Sequence, residues 1–292
     1  MEAVSLTLLL CAITGISRVF LKKGIEASNT LTAMVFSLII GLLVLLPAAG
    51  FTATPEDLNP VGLAFFALIG MIAPPVVRYL TYLGVDKLGA SRSDPVRSLT
   101  PFFAILFAVI IFDEQVTPAI LAGAVLIFAG IVMLTRHQAR PGEEKPWRAI
   151  DLVYPLTAAV IAGLIANGRK FGSTLLPSPV VAAATAAFSG ALVFGLFVLL
   201  TERRKQIVIN RQSGFYFLLA GICTSLTDIL DILVLKLGKV SVVAPLLAAS
   251  PLFVILFSHL FLKGIEKVTL TLVTGAVMVF FGMQIIMFYG VS

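Results

Sequence analysis

Two groups of polar side chains interrupt otherwise apolar stretches of the sequence, and they are the residues best suited to bind a charged molecule. One group contains Arg78, Tyr79, Tyr82, Asp94, Arg97 and Ser98. The other consists of Asp228 and Asp231. Ionisable groups are costly inside a membrane, and they usually face the interior of a helix bundle or a water-filled cavity. We therefore expect these residues to bind substrate or a coupling ion.

Helical spacing brings members of each group together. Arg78 and Tyr82 are four residues apart, and Tyr79 and Tyr82 are three apart, which predicts one shared helix face. Asp228 and Asp231 are three apart and would present two carboxylates side by side.

The two groups also correspond to each other within the chain. A shift of 149 residues places Tyr79 on Asp228 and Tyr82 on Asp231. A cavity with cationic and aromatic groups toward one side and carboxylates toward the other would suit a zwitterion such as an amino acid. Asp228 lies about 10 Å from the end of its apolar stretch, too deep to reach water easily, which suits proton coupling.

Structural roles compete with these functional ones. Arg78 lies close enough to the end of its stretch for its side chain to extend to the membrane surface. Asp94 would then neutralise a neighbouring arginine, and Asp228 would pair with Arg169 or Lys170. Asn167 could hydrogen-bond either a substrate or, as we expect more, a neighbouring helix.

Four prolines are candidate hinges. They occupy matching places in the two halves of the chain: Pro95 and Pro101, then Pro245 and Pro251. Each removes a backbone hydrogen bond and permits a bend. Matched bends suit helices that line a pathway and change curvature, and a static kink that improves packing is the alternative.

Hydropathy predicts the elements that carry these residues. The chain is 59% hydrophobic and 12% charged, with a mean hydropathy of +1.06. Apolar runs of the length that crosses a bilayer recur throughout. They predict ten transmembrane helices, near residues 3–21, 30–50, 61–83, 93–112, 117–135, 151–170, 180–200, 214–235, 241–262 and 268–289. The expected fold is an all-α integral membrane protein without room for a soluble domain.

An internal duplication organises these spans. GAVLIFAG (Gly123–Gly130) returns as GAVMVFFG (Gly275–Gly282), and PFFAILFA (Pro101–Ala108) returns as PLFVILFS (Pro251–Ser258). The predicted units are a first five-helix repeat over 1–135, a polar linker over 136–150 and a second repeat over 151–292. Because five is odd, the second repeat would enter the membrane from the opposite side. Such inverted repeats are typical of secondary transporters. The glycines at their ends would let spans five and ten pack closely.

The net charge of +6 is spread over short connections. Lys and Arg are concentrated after odd-numbered spans, which predicts that both termini lie outside the cell. Scattered charges of this kind do not form a nucleic-acid surface.

The sequence FDEQVTPAILAGAVLIFAGIVML (Phe112–Leu134) resembles the closing signature of the EamA repeat, in which a Glu after span four precedes a span with two glycines. IEKVTLTLVTGAVMVFFGM (Ile265–Met283) is similar. The resemblance covers the whole chain, as in ten-span members of the drug/metabolite transporter superfamily. It implies a proton- or gradient-driven carrier, or an exporter, of small metabolites.

These observations predict an alternating-access exporter of small metabolites, with amino acids or other zwitterions as the expected class. Its expected partners are a small-molecule substrate, the lipid bilayer and a coupling proton, with the chain acting as a monomer or homodimer. We expect a multi-pass protein of a bacterial or archaeal cytoplasmic membrane, with no catalytic residue, cofactor, metal or nucleic acid. A passive channel and an intramembrane enzyme using Asp228 and Asp231 are the alternatives, but neither a selectivity filter nor a nucleophile–base pair is visible.

Overall fold

The computed structural model describes residues 2–88, 90–138, 148–201, 207–261 and 270–289. Within these ranges the chain forms helices and no strand. In chain order they are α1 (Glu2–Glu26), α2 (Thr30–Thr52), α3 (Pro60–Ile72), α4 (Arg78–Leu88), α5 (Ala90–Arg97), α6 (Thr100–Phe112), α7 (Pro118–Gln138), α8 (Val153–Leu175), α9 (Pro179–Leu200), α10 (Arg211–Leu237), α11 (Val240–Ala248), α12 (Ser250–Phe261) and α13 (Leu270–Tyr289).

Length and composition make this an all-α integral membrane protein. Among the described residues, eight helical stretches are long and apolar enough to cross a bilayer. Two shorter apolar helices, Pro118–Leu134 and Val273–Phe288, coincide with the predicted fifth and tenth spans. The expected all-helical membrane fold is confirmed, and the count of ten spans stays a prediction. The predicted linker falls largely on residues 139–147, outside the described ranges.

Three of the predicted spans are interrupted. The third consists of α3 and α4 joined by a π-helical turn, Ala73–Val77, which contains Pro74 and Pro75. The fourth is α5 followed by α6, and the ninth is α11 followed by α12.

The breaks in the fourth and ninth spans have the same backbone hydrogen bonds. The amide of Leu99 donates to the Val96 carbonyl and that of Ala249 to the Leu246 carbonyl, each at 3.1 Å. Both breaks lie just before the second proline of each pair. Pro101 occupies the first turn of α6, where a missing N–H costs little, whereas Pro95 and Pro245 lie inside α5 and α11.

The repeated glycines bring α7 and α13 into backbone contact. A Cβ added at Gly130 would lie 2.6 Å from the Gly275 carbonyl oxygen, and one added at Gly123 would lie 2.8 Å from that of Gly282. Because the contacts run in opposite order along the two helices, α7 and α13 are antiparallel. The glycines thus allow the close packing expected from the sequence.

Two other close contacts correspond to each other after a shift of about 150 residues along the chain. Gly15 of α1 lies against Phe253 of α12, and Gly163 of α8 lies against Phe103 of α6. Each of these pairs joins a residue from the first half to one from the second. The two halves are therefore interleaved rather than packed as separate bodies.

Two asparagines make a further matched pair at the helix ends. Asn59 caps α3 by accepting from the Val61 amide, while its side-chain nitrogen donates to the Leu175 carbonyl at 3.1 Å. Asn210 caps α10 and donates to the Ala27 carbonyl at 2.7 Å. Each asparagine thus starts one helix and secures the end of another from the other half of the chain.

Candidate functional site

One cavity among the helices has a volume of about 200 Å³ and is lined by three charged residues. It lies between α2, the end of α3, α8, α9 and α10. Arg78, Arg169 and Asp228 supply its charge, and Ser37, Thr224 and Ser225 supply hydroxyl groups. Small residues, including Gly41 and Gly70, form much of the remaining wall.

The larger cavity has a volume of about 490 Å³ and lies beside both broken helices. From the first break it receives Arg97, Ser98, Thr100 and Pro101, and from the second Leu247, Ala248, Ser250 and Pro251. Helix α8 adds Arg169, and α10 adds Asp231. Interrupted helices leave backbone groups unpaired at membrane depth, which is tolerated where they line a cavity.

Arg169 belongs to the walls of both cavities. Its guanidinium donates a hydrogen bond to Asp231, and the two form an ion pair. The opposite charge of Asp228 also attracts it. Ala73, at the start of the π-helical turn, is the other residue that lines both cavities. The arginine and this alanine therefore stand where the cavities adjoin.

The two aspartates of α10 line different cavities although they are only three residues apart. Asp228 lines the smaller cavity together with Arg78, and both Arg169 and Arg78 attract its carboxylate. Asp231 lines the larger one. The structure thus brings Arg78 and Asp228 together in one cavity, whereas Asp231 lines the other and pairs with Arg169, which belongs to both walls.

Arg97 and Ser98 lie at the break between α5 and α6. The Arg97 guanidinium donates to the Thr100 hydroxyl, and that hydroxyl donates to the Arg97 carbonyl oxygen at 2.8 Å. This local arrangement satisfies a carbonyl that the broken helix leaves without its usual partner. It also holds a cation at the wall of the larger cavity.

Tyr79 lies outside both cavities, and 58% of its surface is exposed. Consecutive residues of a helix are about 100° apart around its axis, so the side chains of Tyr79 and Arg78 point in different directions. Tyr79 thus lines neither cavity, and the face that its spacing predicts it to share with Tyr82 stays a prediction. The side chains of Tyr82 and Asp94 lie outside what the structure describes.

Asn167 is buried between helices and lines neither cavity. Its amide nitrogen donates to the Ala104 carbonyl at 3.0 Å and to the Gly163 carbonyl at 2.9 Å. It therefore joins α8 to α6, the packing role that we expected more than substrate binding. Among the hinge candidates, Pro101 and Pro251 line the larger cavity.

Sequence reasoning assigned no role to a second ionic cluster, which lies at the ends of the cavity-lining helices. Lys170 donates to the Glu114 carboxylate at 2.6 Å. The same carboxylate accepts from the amides of Val240 and Ser241, each at 2.9 Å, and from the Ser241 hydroxyl at 2.7 Å. Burial by itself raises the pKa of Glu114, but the hydrogen bonds from Lys170, Ser241 and Val240 outweigh it and hold that pKa below its ordinary value.

Comparison with known proteins gives the family. The EamA-like transporter family matches residues 1–136 and 150–288, which is nearly the whole chain. The chain belongs to the EamA-like transporter family. With it comes membership of the drug/metabolite transporter superfamily.

Curated relatives of this EamA-like chain occur in plants and archaea. A WAT1-related protein of Arabidopsis thaliana is 25% identical over 244 residues, which are 78% of this chain and 64% of that protein. Another from the same plant is 26% identical over 151 residues, 48% of this chain and 43% of that protein. The chain thus covers less than two thirds of the length of these plant relatives. An uncharacterized transporter of Archaeoglobus fulgidus is 24% identical over 275 residues, 93% of this chain and 92% of that protein.

The fold has a close counterpart among solved structures. One crystal structure aligns with a TM-score of 0.80 at 18% identity, covering 97% of this chain and 96% of that one. At this identity the likeness concerns the fold alone.

The family match and the long apolar helices make this chain a multi-pass membrane protein of a transporter family. Among the described residues, no group of three or more His, Cys, Asp or Glu side chains is placed to hold a metal ion.

Proposed function

We propose that this EamA-like transporter exports small zwitterionic metabolites, such as amino acids, by alternating access. The observation that carries the proposal is the pairing of Arg78 and Asp228 in one small cavity inside the bundle. An arginine suits a carboxylate and an aspartate suits an ammonium group. A molecule that carries both would satisfy two groups that are otherwise costly to keep within a membrane.

The larger cavity adds a second binding region in this proposal. Arg97 and Ser98 from the first break and Asp231 from α10 again present both signs of charge. Asp94 stays a candidate next to them. In secondary transporters, broken helices commonly frame the substrate site and give it backbone groups as well as side chains.

Alternating access requires two halves that can exchange conformations, and we propose that the chain consists of two inverted five-helix repeats. The antiparallel contact of α7 with α13 supports this arrangement, because these helices carry the duplicated glycines. The interleaved contacts of Gly15 with Phe253 and of Gly163 with Phe103 support it further, since each is the counterpart of the other.

A coupling ion is part of the proposal. Asp228 lies deep in the bundle, beside two arginines, and a carboxylate in such a position can release a proton when a substrate arrives. We propose that proton movement through Asp228 drives export.

Purified protein tests the cargo class directly. A bound ligand raises the unfolding temperature, because it stabilises the folded state by RT ln(1 + L/Kd), where L is the free ligand concentration. We expect at least one zwitterionic amino acid to raise that temperature, while its amide or its decarboxylated amine does not. Stabilisation by the amine alone, or by none of the zwitterions across a full amino-acid set, would contradict the assignment.

A further inference from the structure

Arg169 occupies the only charged position shared by the two cavities among the described residues. It reaches them from α8, and the cavities differ in which aspartate of α10 they contain. Its present partner is Asp231, on the side of the larger cavity. Asp228, on the side of the smaller cavity, attracts the same guanidinium without a hydrogen bond to it.

The geometry of α10 makes the second aspartate an alternative partner. Asp228 and Asp231 are three residues apart, which corresponds to a rise of about 4.5 Å along a helix. A guanidinium on a flexible stem can cover such a distance by changing rotamers, without movement of the backbone. Both positions would keep the arginine paired with a carboxylate, so neither leaves its charge unpaired inside the membrane.

We propose that Arg169 is a movable partition between the two cavities, which closes the passage when it pairs with Asp231 and opens it when it pairs with Asp228. The inference rests on the proposed transport function, because a barrier that moves is what alternating access requires. Ala73, the other residue in the walls of both cavities, has a small side chain that would obstruct such a movement little. The proposal therefore requires that, in the closed position, the two cavities are reached from different faces of the membrane.

Because Arg169 moves between the two aspartates, substitutions of Asp228 and of Asp231 should have opposite effects on the partition. Asp231→Asn removes the partner that holds the partition closed, so Arg169 moves to Asp228 and the cavities join. Asp228→Asn removes the alternative partner, so the partition stays closed. A merely structural ion pair would not distinguish the two substitutions in this way.

Thiol labelling in sealed membrane vesicles measures this barrier without any substrate. One reporter, Ser37→Cys, lies in the smaller cavity, and the other, Ser250→Cys, lies in the larger one. Both are placed in a chain whose two native cysteines, Cys11 and Cys223, are replaced by serine. A charged, membrane-impermeant methanethiosulfonate is added to right-side-out or inverted vesicles.

In the parent chain we expect each reporter to react from one face only, and the two faces to differ. Asp231→Asn and Arg169→Gln should make Ser37→Cys react from the second face roughly tenfold faster, a change within the usual range for coupled sites. Asp228→Asn should leave its reaction from that face as slow as in the parent. As a control, Lys236→Gln removes another cation of α10, one that binds the Pro177 carbonyl. It should leave the labelling of both reporters unchanged.

A double variant that removes both partners serves as a control for misfolding of the single variants. Arg169→Gln combined with Asp231→Asn leaves no unpaired buried charge, and it should label like Arg169→Gln alone. The proposal is overturned if Asp228→Asn opens the second face as much as Asp231→Asn does. It is equally overturned if both reporters react from the same face in the parent chain, or if Arg169→Gln leaves the labelling pattern unchanged.

These outcomes are separable from the cargo assignment. If the chain shows the expected labelling but transports no zwitterion, the partition is supported and the proposed substrate is wrong. If the chain transports zwitterions but its labelling does not change when Arg169 is substituted, the proposed function is supported and the partition is wrong.

Discussion

Lys170 lies 2.6 Å from the Glu114 carboxylate and joins α8 to the turn that follows α6. Asp113 creates that turn by adopting a left-handed conformation with φ 51°, at the end of α6. The Glu114 side chain is only 6% exposed, and its oxygens also accept the first amides of α11. One carboxylate thus secures three helices that line the larger cavity.

Glu114→Gln should destabilise the protein, because the neutral amide cannot compensate Lys170 and has one acceptor oxygen instead of two. We expect a loss of about 2 kcal/mol, in the range for hydrogen bonds to charged groups, observed as a lower unfolding temperature in detergent. The neighbouring Asp113→Asn also removes a negative charge but tolerates the left-handed turn, so it serves as the matched control. Equal losses in the two variants would show that the cluster around Glu114 contributes little.

The same cluster predicts a dependence on pH. Because the pKa of Glu114 in the folded protein lies below its ordinary value of 4.5, its contribution to stability is complete above that value. It is lost as the pH falls through the lowered pKa. The difference in unfolding temperature between the parent and Glu114→Gln should therefore be constant from neutral pH to 4.5, and should shrink below it. A difference that already shrinks above that pH would contradict the lowered pKa.

The contact between α7 and α13 predicts that even one methyl group is too large at its glycines. A Cβ at Gly130 would lie 2.6 Å from a backbone oxygen, so Gly130→Ala should cost about 1–3 kcal/mol through overpacking. Gly195 of α9 has nothing within 4 Å of the corresponding position. There alanine should be neutral or should stabilise the helix by up to about 1 kcal/mol. Thermal unfolding of the two variants side by side decides the matter, and equal stability would refute the close contact.

At each of the two capping asparagines, the hydrogen bond to a second helix (its cross-link) can be removed while the helix cap is kept. Aspartate at position 59 or 210 still accepts the amide that begins its helix, but it cannot donate to the carbonyl of Leu175 or Ala27. Asn59→Asp and Asn210→Asp should therefore each cost about 1 kcal/mol, while the corresponding alanine variants, which lose the cap as well, cost more. If aspartate and alanine proved equally harmful, the cross-link rather than the cap would account for the whole effect.

Much of the fold could be predicted because lipid imposes a simple pattern on the sequence. The apolar run at 180–200 became Pro179–Leu200, and the run at 30–50 became Thr30–Thr52. Each of these helices starts at a residue whose side chain caps it, Ser178 or Asn29. The paired prolines predicted bends, but hydropathy could not indicate that the breaks would fall at Pro101 and Pro251.

The site was only partly predictable, since it depends on where helices end and which neighbours they meet. The apolar run predicts that the sixth span ends near residue 170, which would put Arg169 at its end, whereas α8 continues to Leu175 and carries the arginine deeper. A role for Glu114 could have been inferred from the chain itself, because it and Lys170 both have counterparts in the other half, Glu266 and Lys22. The spacing of Tyr79 to Tyr82 could not indicate that Tyr79 would lie outside both cavities and be largely exposed.

Transport into proteoliposomes tests the central claim, that Arg78 and Asp228 bind a zwitterion which the protein carries across the membrane. Labelled amino acids are followed with and without a pH gradient, in the parent chain and in Arg78→Ala, Asp228→Asn and Tyr79→Phe. We expect gradient-dependent transport by the parent and by Tyr79→Phe, and at least about a tenfold loss in the two cavity variants, equivalent to about 1.4 kcal/mol. Transport at the parental rate by both Arg78→Ala and Asp228→Asn would contradict the account.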